Sequence, residues 1–364
     1  MKFVVSAGGT AGHINPALAV AKALRSKGAT VLYAGTPDSL EERLVTAEGF
    51  DFVGFYAKGL NRRKPWTFPS TALRLNNGRL AAKRWMRQAQ PDAVATFGGY
   101  ASLPSGLAAI SLGYPLLVHE QNARPGLANR LLARKASVLA ISDERAVKGF
   151  STKARIEVTG NPLRAELFGV DPLAARESLG LSPEARVLLV FGGSLGAHHI
   201  NASLLDLARQ LLDGFADLEV MHVTGAADYE WASQLAKTLG LPAQRWQVRE
   251  YCYEMGNAYA ASDLIIARAG ATSLAEFTAL GKAALLVPYP YAAADEQTAN
   301  AELLSAAKAA YVWPDDKLDD PGFRQVVFDL LEDDGLRGQI SVEAKKLGKP
   351  DATEAIAKLI VDLV

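Results

Sequence analysis

One arrangement occurs twice in this chain, and it limits the fold more than any other feature. The segment KFVVSAGGTAGHINPALAVAKAL (2–24) is an apolar run of strand character, a glycine turn and an amphipathic helical pattern. ARVLLVFGGSLGAHHINASLLDLA (185–208) repeats that order. A second pair confirms the duplication: DAVATFGGYASL (92–103) aligns without a gap on DLIIARAGATSL (263–274), matching Gly99 with Gly270 and Ser102 with Ser273. Each is followed by a short helical run and another apolar strand, PLLV (115–118) and ALLV (284–287). Strands alternating with helical patterns predict βαβ units and parallel sheets, whose strand carboxyl ends carry the binding loops. The fold class expected is therefore α/β, two Rossmann-like parallel-sheet domains facing across a cleft.

A chain of 364 residues is long for one hydrophobic core. Asn161-Pro162 in TGNPLRAELFG (159–169) breaks regular structure and marks the seam. Domains are expected over 1–160 and 161–349, with a last helix over 350–364 packing back on the first. That helix has Asp351 as its N-cap and Ile356, Leu359, Ile360 and Leu363 on one face. The single cysteine, Cys252, excludes an intrachain disulfide and fits a reducing cytosol. The N-terminal apolar run is too short for a signal peptide, and glycines and prolines break the uncharged stretch 93–118.

Equal numbers of acidic and basic residues hide a split. Residues 1–160 hold 22 Lys and Arg against 10 Asp and Glu, and the remainder reverses the excess. Between Asp51 and Asp92 there are nine cations and no acid, with Arg62, Arg63, Lys64, Trp66 and Trp85 among the basic and aromatic residues. Such a stretch suits an anionic bilayer surface, each cation near the headgroups contributing about 1 kcal/mol. A solvated helix face is the simpler alternative. No nucleic-acid-binding motif accompanies the patch.

The glycine loops do not fit the common nucleotide motifs. The first is spaced Gly8, Gly9, Gly12, its second strand (29–35) ends without an acid, and no G-K-[ST] occurs, so neither NAD nor ATP chemistry is supported. In IIARAGATSLAEFTALG (265–281) a buried strand leads into a helix opening at Ala271-Thr272-Ser273. Free amides and the dipole at such a helix start make an anion site without metal or lysine. Glu276 lies one turn in, placed for ribose hydroxyls or simply favouring the positive helix end.

GGTAGHINPALAVA, GGYASLP, HEQNARPGLANRLLA (119–133), GNPLR (160–164), GGSLGA, RAGATSLAE and DEQTANA (295–301) together resemble the MurG family. These peptidoglycan glycosyltransferases add N-acetylglucosamine to lipid I. The resemblance spans nearly the whole chain in order and implies the GT-B fold, with UDP-N-acetylglucosamine held mainly by the second domain. It assigns donor contacts to Thr10, Ala11, Gly12, Asn122, Arg164, Ser194, Cys252, Ala271, Thr272, Ser273, Leu274, Ala275, Glu276 and Gln297. Gly99 and Tyr100 fall on the acceptor side. Two positions depart from the family pattern: Ala11 replaces the middle glycine of GGTGGH, and Leu195 replaces the glutamine of GGSQGA.

An inverting transfer needs a base for the acceptor 4-hydroxyl, and His13, with an ordinary pKa near 6.5, is the candidate. Capping the first helix is its structural alternative. Glu120 follows another strand end and orients the base, the acceptor or its own loop. Among the five histidines no pair has metal-site spacing, so no metal and no cofactor is expected. The partners implied are UDP-N-acetylglucosamine, lipid I and an anionic membrane surface, with no nucleic acid, at the cytoplasmic face of the plasma membrane. A UDP-N-acetylglucosamine 2-epimerase, another GT-B transferase and a non-catalytic UDP-sugar-binding subunit are the competing readings.

Overall fold

The computed structural model describes residues 1–57, 68–193, 196–292 and 295–364. The chain divides into two compact units, Met1–Arg164 with Lys349–Val364, and Ala165–Gly348.

Among the described residues the first unit has seven parallel strands: β1 (Lys2–Ser6), β2 (Thr30–Gly35), β3 (Asp51–Gly54), β4 (Ala93–Thr96), β5 (Leu116–Glu120), β6 (Val138–Ile141) and β7 (Arg155–Val158). Their order is 3-2-1-4-5-6-7. Its helices are α1 (Ala11–Ser26), α2 (Leu40–Ala47), α3 (Phe68–Ala89), α4 (Leu103–Leu112) and α5 (Leu127–Leu132). The second unit adds α6 (Pro172–Leu179), β8 (Arg186–Phe191), α7 (His198–Gly214), β9 (Leu218–Val223), α8 (Tyr229–Thr238), β10 (Trp246–Arg249) and α9 (Met255–Ala261). It continues with β11 (Leu264–Ala267), α10 (Ala271–Leu280), β12 (Ala284–Leu286), α11 (Glu296–Ala306), β13 (Tyr311–Val312), α12 (Pro321–Glu332) and α13 (Asp334–Leu347). The last helix, α14 (Ala352–Val361), belongs to the first unit.

The second sheet runs β10-β9-β8-β11-β12-β13, the same winding as the first. Both sheets reverse direction once, between β1 and β4 and between β8 and β11. Those crevices are where open parallel sheets bind ligands. The sequence pairs that revealed the duplication are the loops flanking these two points.

Burial on both faces explains why the strands read as unbroken apolar runs. Phe3 and Val5 of β1 pack with Ile14, Val20 and Leu24 of α1, while Val4 turns to the opposite face with Val94, Leu116 and Met86. α14 lays Ile356, Ala357 and Ile360 on the α1 side of this sheet. Asp351 stands at its N-cap position without a side-chain capping bond. The specific tether is Thr353, whose Oγ1 accepts from Leu163 N at 2.8 Å and donates to Leu163 O at 2.7 Å. This pair keeps GNPLR with the first unit, so the division falls after Arg164 rather than at 160.

Thr353→Val keeps the side-chain shape but removes both bonds and strands the Leu163 amide. Urea unfolding is expected to show a loss of about 1–2 kcal/mol; an unchanged midpoint would show that the tether does not anchor α14.

Candidate active site

The first crevice is built by backbone contact. Gly99 has φ 74°, and a Cβ there would lie 2.0 Å from Gly8 O, so the loops after β1 and β4 touch main chain to main chain. Behind the first loop sits the buried carboxylate of Glu41. It accepts from Gly9 N at 3.4 Å and Thr36 N at 3.2 Å. A loop that gives an amide to an internal carboxylate is poorly suited to cradling phosphate.

Thr10 is the N-cap of α1, yet its hydroxyl makes no capping bond. Instead Thr10 Oγ1 lies 2.9 Å from His13 Nδ1. His13 occupies N3, the position from which a Glu or Gln side chain reaches back in a capping box. The imidazole takes that route and rests against Gly98, where a Cβ would come within 2.8 Å of its Cδ2. Burial lowers the His13 pKa to about 4, and the positive end of α1 acts in the same direction. Ala11 begins the helix and is absent from the positive-φ residues, so replacing the family glycine there introduces no backbone strain.

β5 delivers His119 and Glu120 beside this loop. Glu120 is 1% exposed, and both its oxygens are engaged: Oε1 by Asn122 N at 3.0 Å, Oε2 by Gly126 N at 3.0 Å and Asn129 Nδ2 at 2.9 Å. Burial raises its pKa against the pull of these donors. The carboxylate therefore organises residues 122–129. His119 is fully buried, with Nε2 3.0 Å from Gly160 O and Nδ1 unpartnered. Burial lowers its pKa to about 4, opposed by the Gly160 bond and aided by nearby His13.

In the second unit α10 starts at Ala271 behind Gly270, with no side-chain cap and open space where a Cβ would project. Ala271, Thr272 and Ser273 are half-buried, whereas Leu274 points into the core. Glu276 lies about 7.5 Å along the helix; it is buried, and its Oε2 accepts from Tyr259 Oη at 2.7 Å. Gln297 Oε1 accepts from Tyr289 N at 2.9 Å, an arrangement in which the amide oxygen is engaged by the loop after β12. Cys252 is buried between exposed Tyr251 and Tyr253. Arg164 is half-buried at the end of the first unit. Ser194, Arg62, Arg63, Lys64 and Trp66 lie outside the described residues.

The glycosyltransferase family 28 N-terminal domain matches residues 3–141, and the C-terminal domain of that family matches 187–356. Relatives from Halothermothrix orenii and Moorella thermoacetica are 39% and 38% identical over all of this chain and 99% of their own length. Both are named UDP-N-acetylglucosamine--N-acetylmuramyl-(pentapeptide) pyrophosphoryl-undecaprenol N-acetylglucosamine transferase. The crystal structure of Acinetobacter baumannii MurG is 30% identical, covers 99% of each chain and superposes with a TM-score of 0.76. This chain belongs to the MurG family of family 28 glycosyltransferases.

Trp85 is half-buried and packs edge-on against Phe55, with ring centroids 5.7 Å apart. Glu41, Asn129 and Tyr259 escaped the sequence reading, since each acts through a partner distant in the chain. Gly98 was within reach, because GGYASLP marks a turn beside the first loop. Among the described residues no group of three or more His, Cys, Asp or Glu is placed to hold a metal ion.

His119 and, in the second core, His222 are fully buried with pKa values near 4, chiefly by burial. Unfolded histidines protonate near 6.5, so stability present above that pH drains as pH falls toward 4. The slope is about 1.4 kcal/mol per pH unit for each. Melting temperatures are expected to drop between pH 7 and 5, less steeply in His222→Gln; identical slopes would contradict the assignment.

Proposed function

We propose that this chain is an inverting glycosyltransferase moving N-acetylglucosamine from UDP-N-acetylglucosamine to the 4-hydroxyl of the muramyl sugar of lipid I, making lipid II. The observation that carries this is end-to-end similarity to relatives named for that transfer, in a chain with two furnished switch points. A putative UDP-N-acetylglucosamine 2-epimerase from Listeria monocytogenes also matches over 98% of this chain, with a TM-score of 0.70, but at 17% identity, which speaks for the shared fold alone.

The acceptor oxygen forms the new bond to the sugar C1, the C1–O bond to the diphosphate breaks, and UDP leaves with the electron pair. His13 takes the 4-hydroxyl proton on Nε2. That requires the tautomer in which Nδ1–H donates to Thr10 Oγ1, which makes Thr10 the residue that aims the base. A pKa of about 4 keeps the ring unprotonated at cellular pH. The open start of α10 meets the diphosphate and stabilises the departing UDP. Glu276 receives ribose hydroxyls, Gln297 Nε2 donates to the sugar, and main chain at Cys252 reads the base. Glu120 is a positioning residue for the loop containing Asn122.

The acceptor is a lipid, and α3 is suited to meet its membrane. Leu73, Asn77, Leu80, Arg84 and Arg87 recur at helical spacing and are all exposed, with Leu73 66% exposed. The helix carries no acidic residue. Among the described residues no helix is long and apolar enough to cross a membrane. We place the protein peripherally, at the cytoplasmic face.

Turnover with a lipid I analogue is expected to persist in EDTA and to fall at least about 100-fold in His13→Ala, with UDP-N-acetylglucosamine affinity within about twofold. Near-normal turnover in that variant would remove His13 from the base role. Leu73→Ala with Arg84→Glu and Arg87→Glu should release the protein from anionic vesicles in sedimentation while leaving its melting temperature unchanged. Undiminished vesicle binding would remove α3 from the membrane contact.

A further inference from the structure

The carboxyl edge of the second sheet carries a polar strap that the donor contacts leave unused. Arg268 follows β11 and is 9% exposed. Its Nη1 donates to Val287 O at 3.2 Å and Pro288 O at 3.3 Å, after β12, and pairs with Asp315 Oδ1, after β13. The other oxygen of Asp315 lies 3.1 Å from Nδ1 of His199, in the first turn of α7 beyond β8. His199 Nε2 reaches Asp319 at 3.5 Å. The guanidinium also lies over the ring of Tyr289, 5.4 Å from its centroid, and the amide of Tyr289 holds Gln297.

One carboxylate thus ties together the segments leaving four strands that are adjacent in the sheet. These include the starts of α7 and α10 and the turn that orients Gln297. His199 offers its two nitrogens to different carboxylates on opposite ring edges, a bridging arrangement rather than convergence on one ion.

We propose that Asp315 is a positioning residue for the UDP-sugar, holding the α7 and α10 starts in register through His199 and Arg268, so that donor affinity depends on the charge of His199. This rests on the donor reading above. Burial opposes charging of His199, but hydrogen bonds and charge from Asp315 and Asp319 outweigh it and raise its pKa. The groups facing the imidazole are Asp315 and Asp319, with Arg268 beyond Asp315; neighbouring His198 pairs instead with Asp228. The clamp is complete while His199 is protonated and weakens as pH rises through its pKa.

Calorimetric binding of UDP-N-acetylglucosamine, without acceptor, from pH 6 to 8 tests this, because neither the diphosphate diester nor the uracil of the ligand titrates there. Asp315→Asn is expected to weaken binding about tenfold at low pH, the scale of one charge-assisted hydrogen bond, with kcat within about twofold. His199→Gln should flatten the pH dependence, and Asp315→Glu should restore part of the affinity. Melting curves establish that each variant is folded, and His199→Gln, at a half-exposed site, keeps the test alive if Asp315→Asn does not fold. Folded variants that bind with wild-type affinity and wild-type pH dependence would overturn the strap alone. Failure of the wild-type protein to bind the sugar nucleotide at any pH would overturn the donor reading together with it.

Discussion

A parallel strand cannot pass the chain to its neighbour through a tight turn, and everything functional in this molecule follows from that. Each crossover needs a dozen or so residues, usually built around a helix, so every strand ends in a loop at the same edge of its sheet. Where the winding reverses, two such loops diverge to opposite faces and leave a crevice. Both units reverse after their first strand, between β1 and β4 and between β8 and β11. The chain duplicates this opening and furnishes the two copies differently.

The first opening is closed down by main-chain contact. Gly99 meets Gly8, Gly98 receives the His13 ring, and Glu41 takes up Gly9 N from behind. What remains is a neutral imidazole against glycine backbone. The second opening keeps its helix start uncapped, with Gly270 beneath open space. The two openings thus differ in what lines them, an imidazole against glycine backbone in one and an uncapped helix start in the other, although their sequences are near twins.

Much of this was legible in the residues. Strand runs, glycine turns and the α10 start are local patterns, set by side chains within a few positions of one another. The Thr10–His13 bond lies within one helical turn, yet the pattern offered His13 as a base or a helix cap without pairing it to Thr10, because a histidine at N3 is not the usual reciprocal partner. Glu41 with Gly9, Tyr259 with Glu276, and Arg268 with Asp315 and His199 were not legible at all. Each joins elements that only the sheet order brings together. Nothing in the chain around Asp315-Asp316 announces a buried arginine as its partner. The contact of Trp85 with Phe55 was hidden in the same way: its basic neighbours Arg84 and Arg87 are exposed on α3, while its ring packs against a residue thirty positions earlier.

The depressed pKa of His13 carries a tension that the geometry itself addresses. Burial that keeps the imidazole neutral also makes it a weaker base, so it gains little by accepting a proton from an unreacted alcohol. An acceptor hydroxyl becomes far more acidic as its oxygen bonds to the sugar carbon, and a weak base suffices if transfer is late. What such a base must then supply is aim: a bare Nε2 facing the right oxygen when the proton becomes labile. Thr10 sits on Nδ1, Gly98 leaves room for the ring, and Ala11 at the first helical position has fewer accessible backbone conformations than the glycine it replaces. With His13 as the proposed base, the replacement that departs from the family pattern therefore acts toward a more rigid presentation of its ring.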